Sequence, residues 1–203
     1  MVEQQIRGRG IRDPRVLAAV EAIPRECFVP PDFQAMAYED RALPIDRDQT
    51  ISQPYIVAYM TEALRVERDH KVLEVGTGSG YQSAILAQLT DCVHTVERHQ
   101  SLADAAAVRF AALNITNVTL HIGDGSLGWP AEAPFDRIMV TAAAPSVPDR
   151  LVDQLVDGGR MVIPVGDTNE QTLIEVIKRA GRTVEHPSVA CRFVRLIGEA
   201  AWA

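Results

Sequence analysis

Glu74, Gly76, Gly78 and Gly80 occupy alternate positions in the stretch from Val72 to Leu89. Glycines so spaced let backbone N–H groups approach a ligand, because no Cβ stands in the way. Glu97 follows roughly 20 residues past this turn, where an acidic side chain can accept hydrogen bonds from ribose hydroxyls. Asp124, set between Gly123 and Gly125, makes a second acidic turn. Together these residue types suit a nucleotide-like ligand. The plainer alternatives are a ligand-free glycine turn and a surface glutamate. Ser52 stands two residues before Pro54, a residue suited to a first helical position. It therefore falls at or just before a helix N-terminus, whose free N–H groups and partial positive charge favour a carboxylate. From spacing alone, Ser52 reads as the cap of that helix.

The glycine spacing separates nucleotide classes. A dinucleotide fingerprint beginning at Gly76 needs glycine at position 81, where this chain has Tyr81. Its third glycine comes one position earlier. The resulting E-x-G-x-G-x-G pattern resembles the first motif of the class I S-adenosylmethionine-dependent methyltransferases.

The elements that must position these residues are legible in the pattern. Val72, Leu73 and Val75 predict a buried parallel strand before the turn, and Tyr81, Ala84, Ile85 and Leu89 a helix after it. Ser79 with Gln82 fits a capping box at that helix start. Further strands are expected at Cys92–Glu97, Val118–Ile122, Phe135–Val140, Arg160–Val165, Thr172–Lys178 and Cys191–Ile197, the last pair antiparallel about Gly181. Helices are expected around Leu102–Leu113 and Val147–Leu155, the second stopped by Gly158-Gly159. Before residue 71, one helix begins at Asp13-Pro14, a short one at Asp32, and a third at Pro54. Glu39–Gln49 reads as a polar loop. Strand–helix alternation from residue 71 predicts an α/β fold: a doubly wound, Rossmann-like sheet with helices on both faces, mostly parallel with an antiparallel edge. An N-terminal helical extension precedes it. A single domain is expected over 1–203, with 1–70 covering the site and 71–203 forming the cofactor-binding core.

The chain has 203 residues, 47% of them hydrophobic, enough for one sizeable core. Its net charge of −7 argues against a general nucleic-acid binder, despite Arg7, Arg9, Arg12 and Arg15. Cys27, Cys92 and Cys191 form no C-x-x-C, so neither a disulfide framework nor a metal site is expected. No long apolar segment opens the chain, and the expectation is a cytoplasmic monomer without a membrane span.

With these segments assembled, the chain resembles the protein-L-isoaspartate (D-aspartate) O-methyltransferase family over nearly its whole length. Arg7-Gly8-Arg9-Gly10-Ile11-Arg12-Asp13-Pro14 carries part of the likeness. Gln49-Thr50-Ile51-Ser52-Gln53-Pro54 resembles the family's hallmark loop, which class I methyltransferases in general lack. The glycine corner, Gly123-Asp124-Gly125 with Gly128-Trp129-Pro130, and the run from Phe135 to Pro145 add to it, as does Gly158 to Gly166. One departure is Arg195, where bacterial relatives usually have proline after Arg192-Phe193-Val194.

The resemblance implies S-adenosyl-L-methionine as cofactor, S-adenosyl-L-homocysteine as product, and isoaspartyl-containing proteins and peptides as partners. It places Glu74, Gly76, Thr77, Gly78 and Glu97 against the cofactor, with Asp124 and Gly125 flanking the adenine. Thr50, Ile51 and Ser52 would close over it. Ser52 would be the active-site residue, and the Thr141, Ala142 and Ala143 backbone would hold the substrate chain. A methyltransferase acting on another small-molecule or macromolecular substrate is the alternative, but would not be expected to carry the hallmark loop.

Overall fold

The structure, a computed structural model, describes residues 1–202. After short π and 3-10 turns, α1 runs Pro14–Ala22. Asp13 caps it, its carboxylate accepting from the Arg15 backbone N–H at 2.8 Å. Pro14 takes the first helical position, where a missing N–H costs nothing. Ile23 precedes Pro24, which disfavours further helix at that position. A 3-10 helix, Pro31–Met36, replaces the short helix expected to be capped by Asp32, and no side-chain cap supports it. Inside the expected polar loop, β1 (Leu43–Pro44) pairs antiparallel with β2 (Thr50–Ile51). The helix α2 follows, Pro54–Leu64.

The main sheet then begins with β3 (Lys71–Val75), followed by α3 (Tyr81–Leu89), β4 (Cys92–Glu97), α4 (Gln100–Ala112), β5 (Val118–Ile122) and β6 (Phe135–Val140). A short α5 (Asp149–Asp153) leads to β7 (Leu155–Gly166), β8 (Gln171–Arg179) and β9 (Arg182–Cys191). Strand order is β5-β4-β3-β6-β7-β8-β9. The strands from β5 to β7 are parallel, and β8 and β9 add the antiparallel edge.

Alternation along the strands sorts side chains into two cores. Val72, Val93, Met139 and Val162 face one way, packing with residues of α1, α2, α3 and α4. Leu73, Val75, Val96, Ile138, Val140 and Met161 face the other, towards Leu151 of α5 and Trp129. The N-terminal helices belong to the first core: α1 lies on α2 and α3, and α2 on β6 and β7.

Three expectations need correction. Ser79 and Gln82 do not form a capping box. The N-cap of α3 is Gly80, with φ of 88° and no side-chain cap, and Gln82 donates to Thr61 Oγ1 at 3.0 Å instead. Left-handed backbone at the cap forbids the extended geometry that a capping serine needs. The helix expected to reach Leu155 ends at Asp153, and Gly158-Gly159 lie within β7 rather than stopping a helix. The Gln154 carbonyl accepts from Phe135 N at 2.8 Å, so the chain is drawn into the sheet at once. Finally, Cys191–Ile197 is not a strand. The edge strand is Arg182–Cys191, and the chain then crosses the carboxyl end of the sheet, bridging to Ala143 through Arg195.

Gly80 is held by sterics as well as by backbone. A Cβ there would lie 2.9 Å from the Phe110 ring and 3.2 Å from Ala106. Gly80→Ala is expected to cost about 1–3 kcal/mol, combining left-handed strain with overpacking against α4. Chemical denaturation of the two proteins measures it.

Candidate active site

The sheet order reverses beside β3, whose partners are β4 on one side and β6 on the other. Ligands of open α/β sheets bind outside the carboxyl ends of strands at such a point. The register sets Val75 level with Val96 and with Val140. Gly76, Glu97 and Thr141 therefore emerge side by side. Thr141 ties the edge together, its hydroxyl donating to the carbonyls of Val75 at 2.9 Å and Gly76 at 2.6 Å. A side chain at Gly76 would sit 2.5 Å from that hydroxyl, so this close approach requires glycine.

A cleft opens here, with about 860 Å³ of space between its walls when the solvent at its mouth is included. Thr50, Ile51 and Ser52 form one wall; Gly76, Thr77, Gly78, Glu97 and Gly125 form another. Thr141 and Ala142 border it, and Val194–Ile197 closes the remaining side. Glu97 is only 5% exposed, yet its carboxylate keeps hydrogen-bond partners. Oε2 accepts from Gly78 N and Oε1 from His99 N, both at 2.9 Å. Two N–H donors fix the orientation of the group at the cleft wall.

Three expected site residues lie off the cleft wall. Ala143 is buried, its N–H and carbonyl engaged by Val194 O and Leu196 N at 2.8 and 2.7 Å. Asp124 turns towards the C-terminal segment, accepting from Glu199 N at 2.8 Å, Ser126 N at 2.9 Å and Ser126 Oγ at 2.7 Å. Burial raises its pKa, but these donors outweigh that and hold it below the usual range. Glu74 sits beneath the turn with no exposure at all.

Glu74 organises the turn from below. Thr77 and Thr95 share a hydroxyl–hydroxyl hydrogen bond of 2.7 Å, and Thr95 donates onward to Glu74 Oε2 at 2.7 Å. Ser83 of α3 donates to the same oxygen. Two opposed effects act on this carboxyl. Burial raises its pKa and the two hydroxyls lower it; burial wins, pushing the value up to about 8. At neutral pH the group is chiefly a neutral acid, cross-linking turn, β4 and α3.

Ser52 is not a helix cap. The N-cap of α2 is Gln53, without a side-chain cap, and Pro54 already dispenses with one N–H. Ser52 is half-buried and borders two cavities, the cleft and a neighbour lined by Ala42, Gln53, Ile56 and Phe193. Its backbone is held by Arg25, which the sequence reading did not single out. Arg25 is fully buried, donating to Ala37 O at 2.7 Å and Ser52 O at 2.8 Å. Its guanidinium carbon lies 4.9 Å from the Tyr81 ring centroid. An arginine in a short 3-10 turn (Arg25–Phe28) carries no periodic signal, so spacing could not have found it.

Sheet order, glycine corner and the Glu97 wall define a Rossmann-like methyltransferase. The sequence profile of the protein-L-isoaspartate (D-aspartate) O-methyltransferase family matches residues 1–201. A protein-L-isoaspartate O-methyltransferase of Methanoculleus marisnigri is 52% identical over 202 residues, covering 100% of this chain and 92% of that one. A solved protein-L-isoaspartate O-methyltransferase superposes with a TM-score of 0.88 at 28% identity, over 99% of this chain and 67% of that one. A Plasmodium falciparum structure described as a protein of this kind in complex with S-adenosyl-L-homocysteine gives 0.83 at 24% identity, over 97% and 96% of the two chains. The chain belongs to the protein-L-isoaspartate (D-aspartate) O-methyltransferase family, and it is a methyltransferase.

Two outcomes follow from the buried groups. Glu74 has a folded pKa raised from 4.5 to about 8, so its neutral form stabilises fully below 4.5 and that stability is lost as pH rises through 8. Glu74→Gln keeps the acceptor oxygen without the ionisation. The variant should gain on the parent steadily between those pH values, and melting temperatures across the range report it. Arg25→Lys keeps the charge but loses the planar fork that reaches two carbonyls. It should destabilise the protein by about 2 kcal/mol, read by denaturant titration.

Proposed function

We propose that this chain transfers a methyl group from S-adenosyl-L-methionine to the free α-carboxylate of L-isoaspartyl residues in damaged proteins and peptides. The ester would then close to a succinimide, which opens in part to normal aspartate, making the reaction a repair. The observation that carries this reading is the position of Ser52, on a wall common to the glycine-turn cleft and the adjacent cavity. One space suits the donor, the other the substrate chain, and the reacting atoms meet between them.

When bound, the cofactor supplies a methyl group already activated on a sulfonium, and S-adenosyl-L-homocysteine remains. The site fits it: Glu97 is fixed by two backbone N–H groups at the distance along the chain suited to ribose hydroxyls. Gly76, Thr77 and Gly78 line the methionine and ribose part, and Gly125 with Asp124 behind it bounds the adenine end. Glu74 acts on the cofactor through Thr95 and Thr77 rather than by touching it. Thr50, Ile51 and Ser52 cover the site. Thr141 and Ala142 border the substrate chain, and Ala143 supports them through its bonds to Val194 and Leu196.

The acceptor carboxylate is ionised at neutral pH, with an ordinary pKa near 3.5, so no general base is required. The protein's contribution is alignment and exclusion of water, which supplies about 7–11 kcal/mol in favourable systems. Ser52 orients the carboxylate by hydrogen bonding. Residues 1–70 act as the cover and 71–203 as the cofactor-binding core of one domain. We take a monomer in the cytoplasm as the working form.

Labelled S-adenosylmethionine with paired peptides, differing only in aspartyl or isoaspartyl linkage, tests the reading. Transfer to the isoaspartyl peptide alone is expected; equal labelling or none overturns it. Ser52→Ala should leave stability within about 0.5 kcal/mol, because no cap is lost, while turnover falls about 10-fold or more. Ser52→Asp should fall further, since it sets a negative charge against the acceptor carboxylate. Aspartate equalling alanine in turnover would remove Ser52 from that role.

A further inference from the structure

The segment that follows β9 carries two arginines that the reaction as described does not use. Arg192 lines the cavity beside Ser52, and Arg195 lines the cleft. Both are exposed, and neither has an ion pair or side-chain hydrogen bond among the described residues. The bridge between Arg195 and Ala143 pins the segment, so it is not a free loop. Leu196 N donates to Ala143 O at 2.7 Å and Ala143 N to Val194 O at 2.8 Å.

The carboxylates around these two spaces are already answered, and Arg98, though in no ion pair among the described residues, has Asp124 near it. Asp40 of the second cavity pairs with Arg9 at 2.8 Å, and Arg41 pairs with Glu39 at 2.7 Å. Glu97 is held by the N–H groups of Gly78 and His99. Arg98 stands near Asp124 and helps to lower its pKa. Arg192 and Arg195 remain, one to each of the two spaces that meet at Ser52. The methyl donor has one carboxylate of its own against a sulfonium and an ammonium, so it leaves at least one of the two guanidinium groups unanswered. A further carboxylate on the substrate chain answers it.

We infer that Arg192 and Arg195 form a basic rim selecting isoaspartyl chains that carry a further carboxylate in a residue adjacent to the damaged one. This rests on the isoaspartyl reading and adds a substrate preference to it. The methylated carboxylate sits at Ser52, while the neighbouring acidic side chain meets a guanidinium on the rim. Arginine suits this contact because its planar fork can take a carboxylate with two N–H donors. The contact is solvent-exposed, so its effect is modest and depends on salt.

The test uses isoaspartyl peptides alike except for glutamate or glutamine at the residues on either side of the isoaspartyl linkage. The protein should show a KM about 3- to 5-fold lower for the glutamate peptide at low ionic strength, the range of exposed ion pairs. Turnover at saturation should be alike for both, and the preference should shrink as salt is raised. In the double variant Arg192→Gln, Arg195→Gln, the two KM values should converge near that of the glutamine peptide. The single variant Arg192→Gln, at a residue that lines only the neighbouring cavity, should lose part of the preference with cofactor affinity by calorimetry unchanged. Equal KM values in the parent protein, or a preference that survives in the double variant, would overturn the inference and leave the isoaspartyl reading standing. Lack of transfer to any isoaspartyl peptide would overturn both.

Discussion

The guanidinium of Arg25 is shut away from water with no carboxylate against it, so backbone carbonyls must satisfy it. The two that it reaches belong to Ala37 and Ser52, and the Tyr81 ring stands beside it. Burial of this cation is unfavourable enough to pull its pKa below the ordinary value. Hydrogen bonds made by a charged donor are each worth about 1.5–3 kcal/mol, so two of them offset part of that penalty while Nη1 stays without a partner among the described residues. The constraint is directional. Arg25 can be satisfied only if the Ser52 loop and the chain at Ala37 both close over α3. The N-terminal cover is thus tied to the cofactor-binding core through one side chain, and Ser52 takes its place at the cleft as a consequence.

Below the cleft a different device fixes the glycine turn. The hydroxyls of Thr77, Thr95 and Ser83 converge on Glu74, which is kept neutral by burial. A charged carboxylate there would need stronger partners than hydroxyls; a neutral one is buried at a smaller cost, although its Oε1 has no hydrogen-bond partner among the described residues. Above, Thr141 bonds the carbonyls of Val75 and Gly76. The turn is held from both sides by hydroxyl groups, the N–H groups of Gly76 and Gly80 bond backbone carbonyls, and that of Gly78 serves Glu97.

Much of this was legible in the sequence because it rests on periodicity. The strands at 71–75, 92–97, 118–122 and 135–140 and the helices after Pro14 and Pro54 follow from apolar repeats and prolines, and they stand where expected. The misreadings share a cause. Ser79 with Gln82, and Ser52 before Pro54, look like caps because spacing cannot report that Gly80 and Pro54 already define those helix starts. Cys191–Ile197 is apolar and β-prone, yet the strand ends at Cys191, because Ala143 draws the segment across the sheet edge. Arg25 and Glu74 owe their importance to burial by distant elements, which no local pattern encodes. The glycine corner and the place of Glu97 beside it were legible because a turn and the strand ends that flank it are local features.

The acidic residues around the site show why a chain of net charge −7 can serve a negatively charged acceptor. Glu74 is silenced by protonation, Glu97 by two backbone N–H groups, and Asp124 by Ser126 and the Glu199 N–H. Each is answered by neighbouring donors or by burial, and none sits in an ion pair among the described residues. The guanidinium groups on the segment crossing the sheet end are consequently not committed to the protein's own carboxylates. At about 0.1 M salt, fields from the distant acidic surface fade within roughly 10 Å, so the local charge at the rim governs what approaches Ser52. The glycine-turn wall presents one ordered carboxylate, and the opposite wall and the neighbouring cavity present Arg195 and Arg192. That asymmetry suits a reaction in which a cationic donor meets an anionic acceptor across one serine.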